Sequence, residues 1–247
     1  MANVFIEEGT LTAIGNAIRA KTGKEDKILP ADMPAEIEGI SSESGGDNYY
    51  DAFWDTFQNN GNGTNYYYAF AYGKWKDSNY NPKYPIKTTT GSGLSNTFYL
   101  TGITNTKVEI NTSSATSLAG CFYWARTLET IPLLRMRSAV TAAKSAFSQC
   151  YALKNITIEG TIACDWEIGD SPLNRTSIES IMKALSPNVS GKTVVFNEAA
   201  INAAFETSPG ANDGKMSMEW AALVDSHQEK DEEGNVISGW NFGYKAS

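Results

Sequence analysis

Cysteine, histidine and clustered positive charge are all scarce in this chain, and each scarcity closes off a class of function. There are three cysteines in 247 residues, Cys121, Cys150 and Cys164. An odd number at wide spacing makes neither a disulfide framework nor the close CxxC pairs of a zinc site, so they read as reduced and mostly buried. The single histidine, His227, sits in a charged stretch with no nucleophile signature near it. Any Ser-His or Cys-His mechanism would have to use it, and it reads instead as a solvent-exposed helix residue. Lys and Arg number 20 against 28 Asp and Glu, for a net charge of −8 and a pI near 4.8. With the basic residues scattered, nucleic acid is not expected as a partner. No run approaches the roughly 18 apolar residues of a membrane span, so no membrane insertion is expected. The opening "MANVFIEEGT" carries acids where a secretion signal needs a basic start, which predicts synthesis in a cytoplasm without a signal peptide.

Other chemistry-bearing stretches also have plain readings. "GANDGKM" (210–216) has one residue too few between its glycines for a phosphate loop and lacks the following Ser or Thr, so it reads as a turn ahead of a helix capped by Ser217. "DSHQEKDEEGN" (225–235) departs from calcium-loop order at His227 and Glu229 and reads as a helix end and turn. No carboxylate pair is singled out for glycosidase work. No catalytic residue, metal or cofactor is expected.

What is present falls into segments. In residues 1–40, Leu11, Ile14 and Ile18 recur at helical spacing behind a candidate N-cap, Thr10, and a second short helix follows around Ile37 and Ile40. So few apolar residues cannot close a core alone, so Leu11, Ile14, Ile18, Ile37 and Ile40 need a partner surface on the rest of the chain, another copy of it or a different protein. The segment reads as an attachment or oligomerisation module with Leu11, Ile14, Ile18 and Ile37 as its contact residues. Residues 41–48, "SSESGGDN", read as a flexible linker. Residues 49–93 form an aromatic-rich N-terminal cap: 13 of the 28 aromatics lie in 49–84. Aromatics among Asn and Gly suit either a sugar-binding face or a buried helix side. Three consecutive rings, Tyr66, Tyr67 and Tyr68, cannot all face one core, so these and Trp75 are the candidate ligand face.

From 94 to 185 the chain repeats. Phe98, Phe122 and Phe147 recur at spacings of 24 and 25, and "TLETIPL" realigns on "ALKNITI" after 25 residues. The spacing predicts short strands whose paired apolars, Ile131 with Leu133 and Ile156 with Ile158, point one way, with a weaker pair at Val108 and Ile110. One unit cannot bury its own face, so the units stack into a parallel sheet. The predicted class is α/β, with Phe98, Phe122, Leu128, Ile131, Phe147, Leu153, Ile156 and Ile158 as the repeat core. A C-terminal cap occupies 186–247. It is prepared by a helix with Ile178, Ile181, Met182 and Leu185 in one stripe behind Ser177 as N-cap.

The unit "AFSQCYALKNITI" resembles the BspA-like leucine-rich repeats: an aromatic, a small segment with a cysteine, then a leucine and a spaced apolar pair. The first unit lacks the cysteine, and Ala125 replaces it in the second. "AIGNAIRAKTGKEDKILPADMPAEIEGI" resembles a leader found on tail-associated and other virion proteins of bacteriophages and prophages. The segments "YDAFWDTFQNNGNGTNY", "SGKTVVFNEAAINAAF" and "GWNF" are similar to parts of the same phage-encoded repeat proteins. The resemblance implies a short solenoid of about 3–4 repeats in a non-enzymatic structural component of a virion, fibre-like or tail-associated. Its implied partners are other virion proteins and its own copies in a homo-oligomer. The alternative is a host-attachment module recognising a bacterial cell-surface glycan or protein.

Overall fold

A computed structural model describes residues 12, 16, 18, 19, 66, 71, 85–88, 90–106, 109–207, 209 and 216–246. The chain divides into two compact units, Met1–Phe53 and Trp54–Ser247. In the first, Thr12, Asn16, Ile18 and Arg19 are helical. The expected linker, 41–48, lies outside the described residues.

The second unit is α/β, with a four-stranded parallel sheet in the order β1 (Ile86–Lys87), β2 (Glu109–Asn111), β3 (Thr130–Met136) and β4 (Asn155–Gly160). Ile86 aligns with Ile110 and Ile110 with Leu134, each 24 residues on. Leu134 then aligns with Ile158, so one buried column crosses the sheet. The turns between strands are paired as well. Phe98 N–H donates to Cys121 O at 2.7 Å, and Phe122 N–H donates to Ala146 O at 2.8 Å. Each rung therefore bonds to the next through strand and turn, satisfying backbone groups that small residues bring close together.

Side chains stack in the same columns. The rings of Phe98 and Phe122 lie 5.3 Å apart and those of Phe122 and Phe147 5.2 Å apart, and Trp166 continues the column 5.0 Å beyond Phe147. Phe98, Phe122, Leu128, Ile131, Phe147, Leu153, Ile156 and Ile158 are all buried. The column that holds Cys150 in one rung holds Ala125 and Thr101 in the others, all three buried. The position needs a small side chain rather than a thiol, which accounts for the units that lack the cysteine. At Leu100, Trp124 and Gln149, again one per rung, the backbone is left-handed, with φ of 53°, 63° and 63°. This sharp reversal ends each turn at a local cost of about 1 kcal/mol, outweighed by the rung-to-rung packing.

The structure corrects the expected strand pairing. In β3 the inward residues are Ile131 and Leu134, not Ile131 and Leu133, because the register shifts between Ile131 and Leu134. Pro132 is exposed and Leu133 half-buried. Proline has no N–H for a regular ladder, so the strand bulges there and takes three steps where β4 takes two. Val108 lies outside the described residues. Gly160 ends β4 at φ 93°, where a Cβ would lie 2.0 Å from Met136 O, so only glycine fits.

Among the described residues, the pairing of the first sheet runs from Ile86, inside the stretch assigned to the aromatic cap, to Gly160, and an isolated parallel bridge then joins Ile162 to Leu185. Beyond Gly160 the chain builds a second four-stranded sheet, β5 (Trp166–Glu167), β6 (Lys192–Asn197), β8 (Val236–Lys245) and β7 (Gln228–Lys230) in spatial order. Helix α1 (Arg175–Ala184) connects β5 to its parallel neighbour β6, and α2 (Glu198–Phe205) and α3 (Met218–Asp225) precede the β7–β8 hairpin. Ile178, Ile181 and Met182 form the buried stripe of α1, and Leu185 follows as its C-cap. The N-cap is Asn174, whose side chain accepts the Ser177 N–H, rather than Ser177 itself. Ser217 caps α3, accepting from Trp220 N–H at 3.2 Å.

Candidate functional site

Tyr66, expected on the ligand face, is 2% exposed, and its N–H donates to Gly93 O at 2.9 Å. It belongs to the core, because this bond ties its backbone to the first turn of the ladder. Tyr67, Tyr68 and Trp75 lie outside the described residues. Among the expected attachment residues, Ile18 is helical and 5% exposed. Leu11, Ile14 and Ile37 lie outside the described residues.

The structure assembles a different site, at the end of the ladder. After Phe147 the chain reverses at Gln149, whose N–H donates to Asp170 Oδ2 at 2.9 Å. One residue on, Cys150 O accepts the Ser171 hydroxyl at 3.2 Å. These bonds fix the turn carrying Tyr151 to the loop carrying Asp170. From the end of β8, Lys245 Nζ reaches Asp170 Oδ1 at 2.8 Å. This carboxylate holds the Lys245 ammonium above its usual lysine range. Asn197 donates to Gly169 O at 3.0 Å and accepts the Ala200 N–H, which pins α2 to the same loop. Gly169 allows this closeness, since a Cβ there would stand 2.8 Å from Lys245 Cβ.

Between these parts runs an open groove of about 580 Å³, with Tyr151 on one side and Leu173, Ala199 and Ala203 among its apolar lining. That volume falls within the roughly 300–1,000 Å³ range of small-ligand sites. Tyr151 is 52% exposed. Earlier rungs carry Gly102 and Arg126 at its place, so the ladder itself does not require a ring there. The neighbouring surface rings are engaged with one another. Tyr99 stacks on Tyr123 at 5.6 Å, and Tyr123 on Trp124 at 6.1 Å. The Arg126 guanidinium lies 4.7 Å from the Trp124 ring centre and 5.8 Å from that of Tyr151, and it donates to Gln149 Oε1 at 2.8 Å.

Burial pushes all three cysteine thiols up, Cys164 to about 11, so they carry little thiolate at neutral pH. His227 is half-buried at the end of α3, with Nδ1 2.9 Å from Leu223 O and its ring edge-on to Phe242. The 225–235 stretch is the end of α3, the short strand β7 and a turn. In that turn Asp231 accepts the Asn235 side-chain amide at 3.0 Å and the Asn235 N–H at 2.7 Å, which hold its carboxyl below the usual range. Among the described residues, no group of three or more His, Cys, Asp or Glu side chains is placed to hold a metal. On the outer face of the first sheet Arg135 joins Glu109 at 2.8 Å and also pairs with Glu159, which neutralises that cation.

Tyr151, Asp170 and Lys245 were not singled out by sequence reasoning. The available signal was local: an aromatic directly after the inward Cys150, where the matching residue of the preceding unit is Arg126. The partnership of residues 151, 170 and 245 is set by the fold and has no sequence spacing to announce it. In comparisons with known proteins, no family model, no curated protein and no solved structure matches this chain.

Proposed function

We propose that this chain is a non-enzymatic structural component of a bacteriophage particle, a short BspA-like leucine-rich-repeat solenoid carried on the particle through its N-terminal residues. The observation that supports this best is the parallel ladder with its 24- and 25-residue register. A rung of this kind buries nothing alone and becomes stable only when stacked, as solenoid units do. The resemblance of residues 1–40 to a virion leader supplies the attachment half of the reading, and their placement in a separate compact unit, Met1–Phe53, is compatible with it. Asp170, the carboxylate of the groove, is held by Lys245 and the Gln149 N–H, an arrangement suited to fixed geometry rather than proton transfer.

Mass spectrometry of purified particles, with gold-labelled antibody imaging, tests this reading. The protein should be found in intact particles, and a chain lacking residues 1–53 should fold yet fail to incorporate. Protein found only in the soluble lysate would overturn it. A second reading, attachment to a bacterial surface, is favoured by one observation: the half-exposed Tyr151 over a preformed groove.

A further inference from the structure

We propose that the groove beside Tyr151 binds a neutral oligosaccharide, with the Tyr151 ring as its stacking surface and the Asp170–Lys245 pair as its hydroxyl-binding group. This deepens the host-attachment reading and rests on it.

Three observations carry the assignment. The first is the ring. The faces of Tyr99 and Tyr123 are used on each other, and Arg126 lies 4.7 Å from the Trp124 ring centre. Arg126 also stands 5.8 Å from the Tyr151 ring centre, yet Tyr151 keeps 52% of its surface exposed and lines the groove. An exposed aromatic edge or face beside apolar Leu173 and Ala203 suits the C–H face of a sugar ring, which is itself amphipathic. The second is charge. Asp170 and Lys245 lie 2.8 Å apart and cancel, so the pair, with the carboxylate 11% exposed and also accepting the Gln149 N–H, presents an acceptor and a donor without net charge of its own. A phosphate or sulfate would meet the carboxylate, and a cation would meet the ammonium. A hydroxyl, which both donates and accepts, can use the two groups together. The third is preorganisation. The Gln149 N–H and the Ser171 hydroxyl lock the Tyr151 turn to the Asp170 loop, so ring and carboxylate keep their separation before any ligand arrives, which lowers the ordering cost of binding.

The test uses the full chain on an array of neutral and anionic bacterial-type glycans, followed by calorimetric titration with the best neutral oligosaccharide. Tyr151→Ala should weaken binding by about tenfold or more, Tyr151→Phe should retain it, and Asp170→Asn should weaken it. Because Tyr151 is an exposed side chain, the Ala variant should melt with the parent, which separates lost binding from lost folding. Binding confined to anionic glycans, no glycan binding at all, or neutral-glycan binding indifferent to Tyr151→Ala would each overturn the proposal. Host-cell binding by the labelled chain separates the two levels. Cell binding that survives Tyr151→Ala sinks the groove and leaves the attachment reading standing. Tyr151-dependent array binding without cell binding does the reverse.

Discussion

The hydroxyl oxygen of Ser177 accepts the backbone N–H of Ile156 at 2.8 Å, so a helix side chain fills the place that another strand would take beside β4. Ser180 does the same for Ile158 at 2.7 Å, and each serine also donates back to the strand, to Lys154 O and Ile158 O. A parallel sheet that ended at β4 would expose a row of unpaired donors and invite another chain to pair with it. Here α1 closes that edge chemically as well as sterically. Ser177→Ala should therefore lower stability by about 1–3 kcal/mol, the usual cost of stranding a buried donor. The exposed Ser190→Ala control should move it by less than about 0.5 kcal/mol. Denaturant unfolding of the three chains checks this, and a Ser177→Ala midpoint equal to the control would remove the serine from the cap.

Phe147 sits between Phe122 and Trp166, joining the aromatic column of the first sheet to the first strand of the second. Phe147→Ala should cost about 3–5 kcal/mol, a large part of the roughly 5–15 kcal/mol that holds a domain folded. Thermal melting reads the loss directly. A variant that melts with the parent would show that the column carries no stability.

The bulge in β3 makes neighbouring leucines unequal. Leu134 is fully buried in the column of Ile110 and Ile158, while Leu133 is half-buried. Leu134→Ala should cost about 2–5 kcal/mol, and Leu133→Ala should cost distinctly less. Reversed sizes in a pair of urea titrations would mean that the strand runs in the regular alternation.

The cysteines tie burial to pH. All three thiols are buried, and desolvation is the largest cause of their raised pKa values relative to the ordinary 9.0. Above that value the unfolded chain releases thiol protons that the folded chain keeps. The stability linked to these groups is thus complete below about pH 9 and declines as pH rises toward the folded values. Ellman's reagent at about pH 8 should find no reactive thiol until denaturant is added. Prompt reaction of one thiol in the native protein would place that residue at the surface.

Much of this fold was legible from spacing alone. The phenylalanines at 98, 122 and 147, with the leucines and isoleucines downstream of each, announce stacked rungs, because each rung must present the same residue to the same column of the core. The α/β class and the Ser217 cap were legible for a similar reason: both depend on residues close together in the chain. The tertiary structure decided the rest, since it depends on groups that meet only after folding. Pro132 could be read as a strand residue until the neighbouring rungs showed that its missing N–H forces a bulge and turns Leu134 inward. Ser177 looked like the start of a helix, and became an edge cap when β4 presented an unpaired N–H. Tyr66, one of three adjacent rings, was assigned to the core by its bond to Gly93. Residues 151, 170 and 245 lie far apart in the chain, so their ring, carboxylate and ammonium acquire a common site only where the last turn of the ladder meets the second sheet.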